Sequence, residues 1–398
     1  MHNESVMKKI AFLFGSGLSI PAEMSSTWDI TKNVLDGNNI MRHTDGNYYF
    51  GKPLYHHMGK EDEYVPRVLL FLKRIKIEID LYYWNFFNKE TNYEELYYVA
   101  SQIYDSEMFN YDNPVVQPFV DKIIKEVKPL LKGKQGEIRK NWKLHELADE
   151  AMNYIHDIVW HHLGKQPNNF SYLKFLKDAY EDSRISRMFI FSLNHDLVIE
   201  ECFRTSDISF NDGFGKPVND VRYWDFNLYK NDEKLNIVKL HGSINWFKFS
   251  REQYAPNEIG IPIHWDFWRT KDPNGVYQHP VHGRPMLLVG TFNKILQYTY
   301  DIYFLLYYLL YDTLIDINTI IISGYSFGDK GINTRLIEWM YSSNERKIIV
   351  IHPEIEKLKL SSRGNIYLNW DKWVKDKKMI VIQKGIQEIS WGEISNNI

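Results

Sequence analysis

Short apolar runs that end abruptly in small or polar residues recur along the chain. The first run, residues 9–14, stops at a glycine turn that begins with Gly15, and a helix-like segment follows over residues 28–35. A strand, a glycine turn and a helix in this order form the opening unit of an α/β nucleotide-binding fold. Four later apolar runs are each followed by small, polar or ionisable residues. These are 187–193, followed by Asn194-His195-Asp196; 236–240, followed by His241-Gly242-Ser243; 319–323, followed by Gly324-Tyr325-Ser326; and 347–351, followed by His352-Pro353. Because ligands of open parallel sheets bind beyond the carboxyl ends of the strands, we expect these polar ends to converge.

The segment from residue 46 to residue 165 has a different pattern. Residues 66–87 carry apolar side chains at helical spacing, although the alternation from Ile75 to Leu81 also fits a strand. Further helix-like stretches are 93–104, 118–131 and 142–163. We therefore predict an α/β fold with a Rossmann-like parallel sheet and a large, mostly helical insertion. The predicted bounds are 1–45 and 166–398 for the nucleotide-binding core and 46–165 for the insertion.

Two other stretches lack a clear period. Residues 37–60 are polar and are predicted to form a loop, while residues 250–284 hold several proline, glycine and aromatic residues that indicate an irregular excursion. Beyond that excursion, residues 286–289 are a strand candidate and residues 299–315 a helix candidate.

Composition excludes several classes of protein. The 398 residues are 44% hydrophobic and 25% charged, which is ordinary for a folded globular chain. With 48 basic and 51 acidic residues, no overall charge favours nucleic acid or an anionic membrane. Cys202 is the one cysteine, which excludes an internal disulfide and a four-cysteine zinc site. Three aspartates interrupt residues 298–317, the best membrane candidate, and the N-terminus lacks a signal-peptide pattern, so we expect a soluble cytoplasmic protein.

The residues at the strand ends suggest specific chemistry. Glycines in a turn let backbone N–H groups approach a pyrophosphate, but the third glycine of the common fingerprint is missing, and a plain strand-to-helix turn is the alternative. Asn194 can hold a water or a ribose hydroxyl without becoming charged. Asp196 could support the same pocket or simply cap a helix beginning at Leu197. His241, beside a glycine at a strand end, is expected to expose its ring as a general base, although an ordinary surface or capping histidine is the alternative.

Together these motifs resemble the sirtuin family. Gly15-Ser16-Gly17-Leu18-Ser19 is similar to the glycine-alanine-glycine opening of sirtuins, Asn194 with Asp196 resembles their Asn-Ile-Asp element, and His241-Gly242 resembles their catalytic His-Gly. Two later segments resemble the bacterial sirtuin-like branch, namely Thr291-Phe292-Asn293-Lys294 and Gly324-Tyr325-Ser326-Phe327-Gly328-Asp329. The resemblance covers residues 8–36 and 187–355. It implies a parallel sheet of the sirtuin type.

The resemblance also assigns roles to individual residues. It implies NAD as substrate, His241 as the proton acceptor, Asn194 as the group that holds water or a ribose hydroxyl, and Asp196 as a supporting catalytic residue. The residues expected to bind the rest of NAD are Gly15, Ser16, Gly17 and Ser19 at the phosphates, Gly324 and Ser326 at the adenosine, and His352 where sirtuins carry Asn-Pro near the adenine ribose. The two Cys-x-x-Cys pairs of zinc-bearing sirtuins and their Pro-Asp-Phe-Arg run are missing, so no zinc is expected.

The resulting functional hypothesis is an NAD hydrolase that releases nicotinamide and ADP-ribose, acting in antiviral, abortive-infection defence. The open alternatives are a sirtuin-type deacylase, an ADP-ribosyltransferase, and a sensor that binds NAD derivatives without cleaving them. The aromatic-rich insertion favours a homo-oligomer, with a self-contained core as the alternative. Resemblance to defence proteins of this size also implies a separately encoded partner, such as a HerA-type ATPase or an Argonaute.

Overall fold

A computed structural model describes residues 7–51, 59–86, 89–110, 114–132, 141–250, 258–264, 269–291 and 294–398. The contacts divide the chain into two compact units. The first unit comprises residues 1–24, 166–288 and 294–398, and the second comprises residues 25–165 and 289–293. The sequence-based domain bounds, which fall at residues 45 and 165, stay a prediction.

The elements are numbered in chain order. The strands are β1 (Lys8–Phe14), β2 (Ile40–Arg42), β3 (Tyr48–Phe50), β4 (Ile185–Ser192), β5 (Val221–Tyr223), β6 (Leu235–Lys239), β7 (Gly242–Phe249), β8 (Glu258–Pro262), β9 (Pro280–Leu287), β10 (Thr319–Ser323), β11 (Lys347–Ile351) and β12 (Met379–Ile382). The α-helices are α1 (Thr27–Asp36), α2 (Tyr64–Phe86), α3 (Tyr93–Glu107), α4 (Gln117–Val127), α5 (Leu144–Leu163), α6 (Lys174–Glu181), α7 (Val198–Arg204), α8 (Lys294–Gln297), α9 (Asp301–Ile315), α10 (Lys330–Ser342), α11 (Ile355–Ser361), α12 (Asn365–Lys375) and α13 (Trp391–Ser395).

The first unit is built on a six-stranded parallel sheet in the order β12-β11-β10-β1-β4-β6. Its strands are nearly continuous apolar runs because both faces of the sheet are covered. On one face Leu13, Leu306 and Trp370 belong to the same core cluster, which includes residues of α9, α10 and α12. On the other face the ring of Phe12 packs against Phe175, with centroids 6.2 Å apart. The predicted α/β class with a parallel sheet is confirmed.

A second sheet in this unit was not predicted. It is antiparallel and has four strands in the order β5-β8-β7-β9. The prediction that residues 250–284 form an irregular excursion is wrong for β8 and for the beginning of β9, while residues 251–257 and 265–268 lie outside the described residues. The proline and glycine residues of this stretch suggested a loop, but pairing with the distant strands β5 and β7 stabilises extended backbone here.

The second unit is mostly helical and contains α1 to α5 with the β2–β3 hairpin. Residues 66–87 fall almost entirely in α2, so the helical interpretation of that ambiguous stretch is confirmed. The prediction of a loop over residues 37–60 is wrong for β2 and β3, where Arg42 on β2 forms an ion pair with Glu150 of α5 at 2.7 Å. Among the helices within the described ranges, none is long and apolar enough to cross a membrane.

Candidate active site

The parallel register brings the predicted site residues to one edge of the sheet. Phe14, the last residue of β1, pairs with Ser192 of β4 on one side and with Ser323 of β10 on the other. Ser192 pairs in turn with Lys239 of β6, and Ser323 pairs with Ile351 of β11. All five strands end at these paired residues. The residues that follow are Gly15, Asn194, His241, Gly324 and His352, so they all emerge from the same edge.

The glycine turn after β1 packs directly against the turn after β10. The Gly15 N–H donates to the Ser323 carbonyl oxygen, and the Gly17 N–H donates to that of Gly324, each at 3.1 Å. Gly324 has a φ of +67°, and a Cβ there would lie 2.4 Å from the backbone nitrogen of Leu18. Only glycine combines that left-handed conformation with so close an approach.

This packing occupies most of the backbone donors of the turn. The N–H groups of Leu18 and Ser19 donate to the carbonyl oxygens of Gly15 and Ser16, in addition to the two bonds that Gly15 and Gly17 make. These four donors are therefore already satisfied within the protein. Ser16 is exposed. Gly17 is exposed as well, whereas Gly15 and Ser19 are buried.

Replacing Gly324 by alanine is expected to destabilise the protein by about 2–5 kcal/mol, because left-handed strain adds to a backbone clash. The matched control is Gly275→Ala, since Gly275 has a φ of +83° but nothing within 4 Å of the added Cβ. That variant should lose only about 1–2 kcal/mol. Denaturant unfolding measures both, and equal losses would contradict the close packing of the two turns.

Asn194 ties the end of β4 to the glycine turn. Its Nδ2 donates to the Gly15 carbonyl oxygen and to Ser19 Oγ, both at 3.0 Å. Its Oδ1 is buried and has no hydrogen-bond partner among the described residues. A buried acceptor without a donor is costly, so this oxygen is suited to receive a hydrogen bond from a ligand or a water.

The Asp196 carboxylate stabilises the turn that leads into α7. Its Oδ1 accepts a hydrogen bond from the Val198 N–H at 3.1 Å, at the start of α7. The adjacent Lys239 contacts the Asp196 backbone oxygen and forms an ion pair with Glu200 at 3.2 Å. Burial raises the pKa of the Glu200 carboxyl, although the charge of Lys239 opposes that shift. Asp196 thus lies one residue before the N-cap Leu197 and stabilises the turn into α7 rather than capping the helix, and its catalytic role stays a prediction.

His241 lies in a hydrogen-bonded cluster. Its Nε2 is 2.7 Å from the Tyr298 hydroxyl and 3.2 Å from Asp329 Oδ2, and the same hydroxyl donates to Asp329 Oδ2 at 2.9 Å. Burial tends to raise the pKa of the Asp329 carboxyl, but the hydrogen bond from His241 and the charge of that ring when it is protonated outweigh burial and lower the pKa to about 2. Asp329 is therefore ionised at neutral pH.

The expectation that His241 exposes its ring is wrong, because the residue is only 4% exposed. The chain does not loop into solvent after β6 but continues at once into β7. Gly242 permits this change of direction with a φ of +80°, and a Cβ there would lie 2.1 Å from the Met286 carbonyl oxygen. The His241 carbonyl oxygen also accepts a hydrogen bond from the Leu288 N–H at 2.8 Å, which anchors the residue.

A second imidazole lies beside the first. The ring centroids of His195 and His241 are 6.2 Å apart. Burial lowers the pKa of His195 well below its ordinary value, and positive charge on its neighbours, on His241 when that ring is protonated and on Lys294, lowers the pKa further. His195 Nδ1 is buried and lacks a hydrogen-bond partner within the described part of the chain. His195 is thus a neutral imidazole that links the Asn194 end of the site to His241.

An open cleft lies beside the glycine turns. It has a volume of about 930 Å³ and is lined by Gly17, Gly324, Ser326 and His352, among others. His352 Nδ1 accepts a hydrogen bond from the Glu354 N–H at 3.0 Å. Burial lowers the pKa of His352, although this hydrogen bond opposes the shift. Among the described residues that line the cleft, Asn194 and His241 do not appear. The predicted binding residues therefore divide between an open cleft and a buried cluster.

Sequence reasoning missed the partners of His241. Tyr298 carries no motif, and Asp329 was noticed only as the end of the Gly-Tyr-Ser-Phe-Gly-Asp turn. A signal for Asp329 did exist, since an aspartate before a helix is a typical cap, and its Oδ1 accepts from the Ile332 N–H at 3.1 Å. Phe292 and Asn293 of the Thr-x-Asn-Lys segment lie outside the described residues.

Comparison with known proteins shows what part of this chain is similar to. No curated protein matches the chain. Among solved structures, a mutant Sir2 homologue in complex with ADP-ribose shares 9% identity at a TM-score of 0.38, covering 99% of this chain and 93% of that one. A Sir2 homologue in complex with NAD shares 11% identity at a TM-score of 0.36, covering 99% and 90%. Sequence identities and TM-scores this low indicate nothing about the function of this chain. The family model described as a SIR2-like domain matches residues 188–369, so this stretch is similar to the domain of an NAD-using enzyme family.

Proposed function

We propose that the chain is an NAD hydrolase that cleaves the bond between nicotinamide and ribose. The observation that carries the proposal is the buried, unsatisfied Oδ1 of Asn194, which lies at the same sheet edge as His241. Among the described residues no protein donor reaches this oxygen. A ribose hydroxyl or a water held by that hydroxyl is a donor of the right kind.

The reaction needs little acid catalysis. Nicotinamide leaves NAD as a neutral molecule when the C1′–N bond breaks, and positive charge develops on the ribose as in other glycosyl transfers. Water then bonds to C1′ and gives up a proton. In the proposal, Asn194 Oδ1 orients the water or a ribose hydroxyl, and His241 accepts the proton. Both side chains are buried, and electrostatic contacts are stronger where bulk water is excluded, which supports this assignment.

The cleft is suited to the nucleotide part of NAD. Its volume of about 930 Å³ is within the usual range for small-molecule sites, about 300–1,000 Å³. Gly17 and Gly324 leave its floor free of side chains, and Ser326 and His352 offer polar groups along its wall. We assign the adenosine to this cleft and the phosphates to the exposed Ser16 beside it. Gly15 and Ser19 also support Asn194, because both accept hydrogen bonds from its amide, and together with Gly17 they remain the other proposed phosphate residues.

An assay of the full-length chain with NAD tests the proposal. We expect nicotinamide and ADP-ribose to appear in equal amounts, without any acylated peptide, as measured by chromatography. Cleavage that occurs only after an acetyl-lysine peptide is added would identify a deacylase instead. NAD that binds to the protein, as seen by calorimetry, but stays intact over hours would identify a sensor and overturn the hydrolase.

The biological setting is proposed on resemblance alone. We retain antiviral defence as the setting, a homo-oligomer as the assembly, and a separately encoded ATPase or Argonaute as the partner. The neighbouring genes are the most direct test of the partner.

A further inference from the structure

We propose that Asp329 is a positioning residue that holds the proton of the His241 ring on Nε2, so that Nδ1 is the atom that accepts the proton during catalysis. This inference rests on the proposed hydrolase function for its kinetic consequences. Its structural part, the protonation pattern of one ring, stands on the geometry of the cluster alone.

One carboxylate oxygen of Asp329 is shared by His241 and Tyr298. Asp329 Oδ2 lies 2.9 Å from the Tyr298 hydroxyl oxygen and 3.2 Å from His241 Nε2. An ionised carboxylate only accepts hydrogen bonds, so a lone pair on either neighbour would face it with repulsion. Burial strengthens that repulsion, since Asp329 and His241 are both almost fully enclosed. Both neighbours must therefore present a proton to the carboxylate.

The single proton of the Tyr298 hydroxyl determines which nitrogen of the His241 ring carries hydrogen. The Tyr298 hydroxyl has one proton and donates it to Asp329 Oδ2. The hydroxyl oxygen, 2.7 Å from His241 Nε2, is then left as an acceptor. Nε2 therefore carries hydrogen and shares it between the hydroxyl and the carboxylate. In a neutral imidazole with hydrogen on Nε2, the basic lone pair is on Nδ1.

The cluster is held rigidly enough to enforce this pattern. Asp329 Oδ1 caps α10 through the Ile332 N–H at 3.1 Å, which leaves Oδ2 directed at His241. The Tyr298 ring stacks on Tyr307 with centroids 4.7 Å apart. It also lies over Gly331, where a Cβ would approach the ring to 2.7 Å. Neither partner of His241 can turn away without breaking these contacts.

The other charged and titratable groups around the ring agree with the assignment. Burial keeps His195 neutral, with its centroid 6.2 Å from that of His241. Lys294 of α8 adds positive charge that lowers the pKa of both His195 and Asp329. Burial raises the pKa of Tyr325 well above its ordinary value, and the charge of Asp329 raises it further, so its hydroxyl stays neutral. Asp329 is thus the anion that offsets the charge of His241 after proton uptake.

The oxygen of water bonds to C1′ as the C1′–N bond breaks, and the bonding electron pair leaves on the nicotinamide nitrogen. The proton of the water moves to Nδ1 of His241, and the resulting imidazolium is stabilised by Asp329 until the proton passes to solvent. Asp329 itself remains ionised throughout, as in other carboxylate–imidazole pairs that act on a nucleophile.

Asp329→Asn tests the proposal with two readouts. The amide keeps an oxygen to cap α10 but presents N–H to Nε2, which moves the ring proton to Nδ1 and removes the base. We expect kcat to fall about 10²–10⁴-fold with little change in KM, and the acidic limb of any residual pH–rate profile to move to lower pH. The matched control is Asp225→Asn, since Asp225 caps a short helix through the Asn227 N–H at 2.9 Å and should leave kcat unchanged.

Nuclear magnetic resonance of histidine labelled with ¹⁵N gives the second readout, with the His241 signals identified by their loss in His241→Gln. We expect hydrogen on Nε2 in the wild type and on Nδ1 in Asp329→Asn. Tyr298→Phe, which keeps the carboxylate beside Nε2, should retain the wild-type pattern. Hydrogen on Nδ1 in the wild type would overturn the inference even if NAD is cleaved. A wild type that does not cleave NAD but carries hydrogen on Nε2 would leave this assignment standing and overturn the proposed function.

Discussion

Replacing His241 by glutamine is expected to lower the rate of NAD cleavage by about 10²–10⁴-fold, the usual contribution of a general base. Glutamine is preferable to alanine because its amide can still meet the Tyr298 hydroxyl and Asp329 Oδ2, which now lie 2.7 Å and 3.2 Å from Nε2. Alanine would leave the buried, ionised Asp329 with the Tyr298 hydroxyl but without the His241 ring, and the loss of stability would obscure the loss of chemistry.

Nicotinamide release under saturating NAD measures the effect. The matched control is His264→Gln, since His264 is an exposed histidine in the same unit and should keep full turnover. We expect KM to change little, because the lost interaction serves the transition state rather than the bound substrate. If His241→Gln retains wild-type turnover while its circular dichroism and melting temperature are unchanged, His241 is a structural histidine and the proposed mechanism fails.

The parallel sheet could be predicted because its strands stand out in the sequence as short apolar runs. β10 and β11 have the predicted bounds, Thr319–Ser323 and Lys347–Ile351, since each is an apolar run flanked by polar residues. A strand buried on both faces needs no partner to be recognised. The antiparallel strands are different, because β9 contains Pro280, Gly283 and Pro285 and is extended only through its pairing with β7. That pairing is a tertiary interaction, which local pattern does not encode.

The site, too, contains residues that could be predicted from the sequence and residues that could not. The residues after the strands were predictable because parallel strands bring their carboxyl ends to one edge. The partners of His241 were not, since Tyr298 and Asp329 are 57 and 88 residues from it in sequence. Tyr298 lies between α8 and α9, and Asp329 is the N-cap of α10. Both residues therefore contact His241 only when these helices pack on the sheet. For the same reason, the burial of His241 could not be inferred from its position beside a glycine.

Asn194→Ala is expected to lower NAD cleavage by about 10²–10³-fold, as does the loss of a single polar group aimed at a reacting centre. It should also cost about 1–3 kcal/mol of stability, because the Gly15 carbonyl oxygen and Ser19 Oγ lose the amide that now reaches both at 3.0 Å. The two effects have different origins. Loss of turnover reports the unsatisfied Oδ1, whereas loss of stability reports the Nδ2 donor.

A second buried asparagine separates the two effects. Asn236 Nδ2 donates to the Glu233 carbonyl oxygen and its Oδ1 accepts from Asn211 Nδ2, both at 2.9 Å, so the nitrogen and the oxygen of its amide each have a partner within the protein. Asn236→Ala should therefore lose similar stability in denaturant unfolding and keep its turnover. A domain stable by about 5–15 kcal/mol remains almost entirely folded after losing 1–3 kcal/mol, so unfolding cannot account for a hundredfold loss of rate. Equal turnover in the two variants would mean that the Asn194 oxygen faces no substrate, and the hydrolase would lose the observation that carries it.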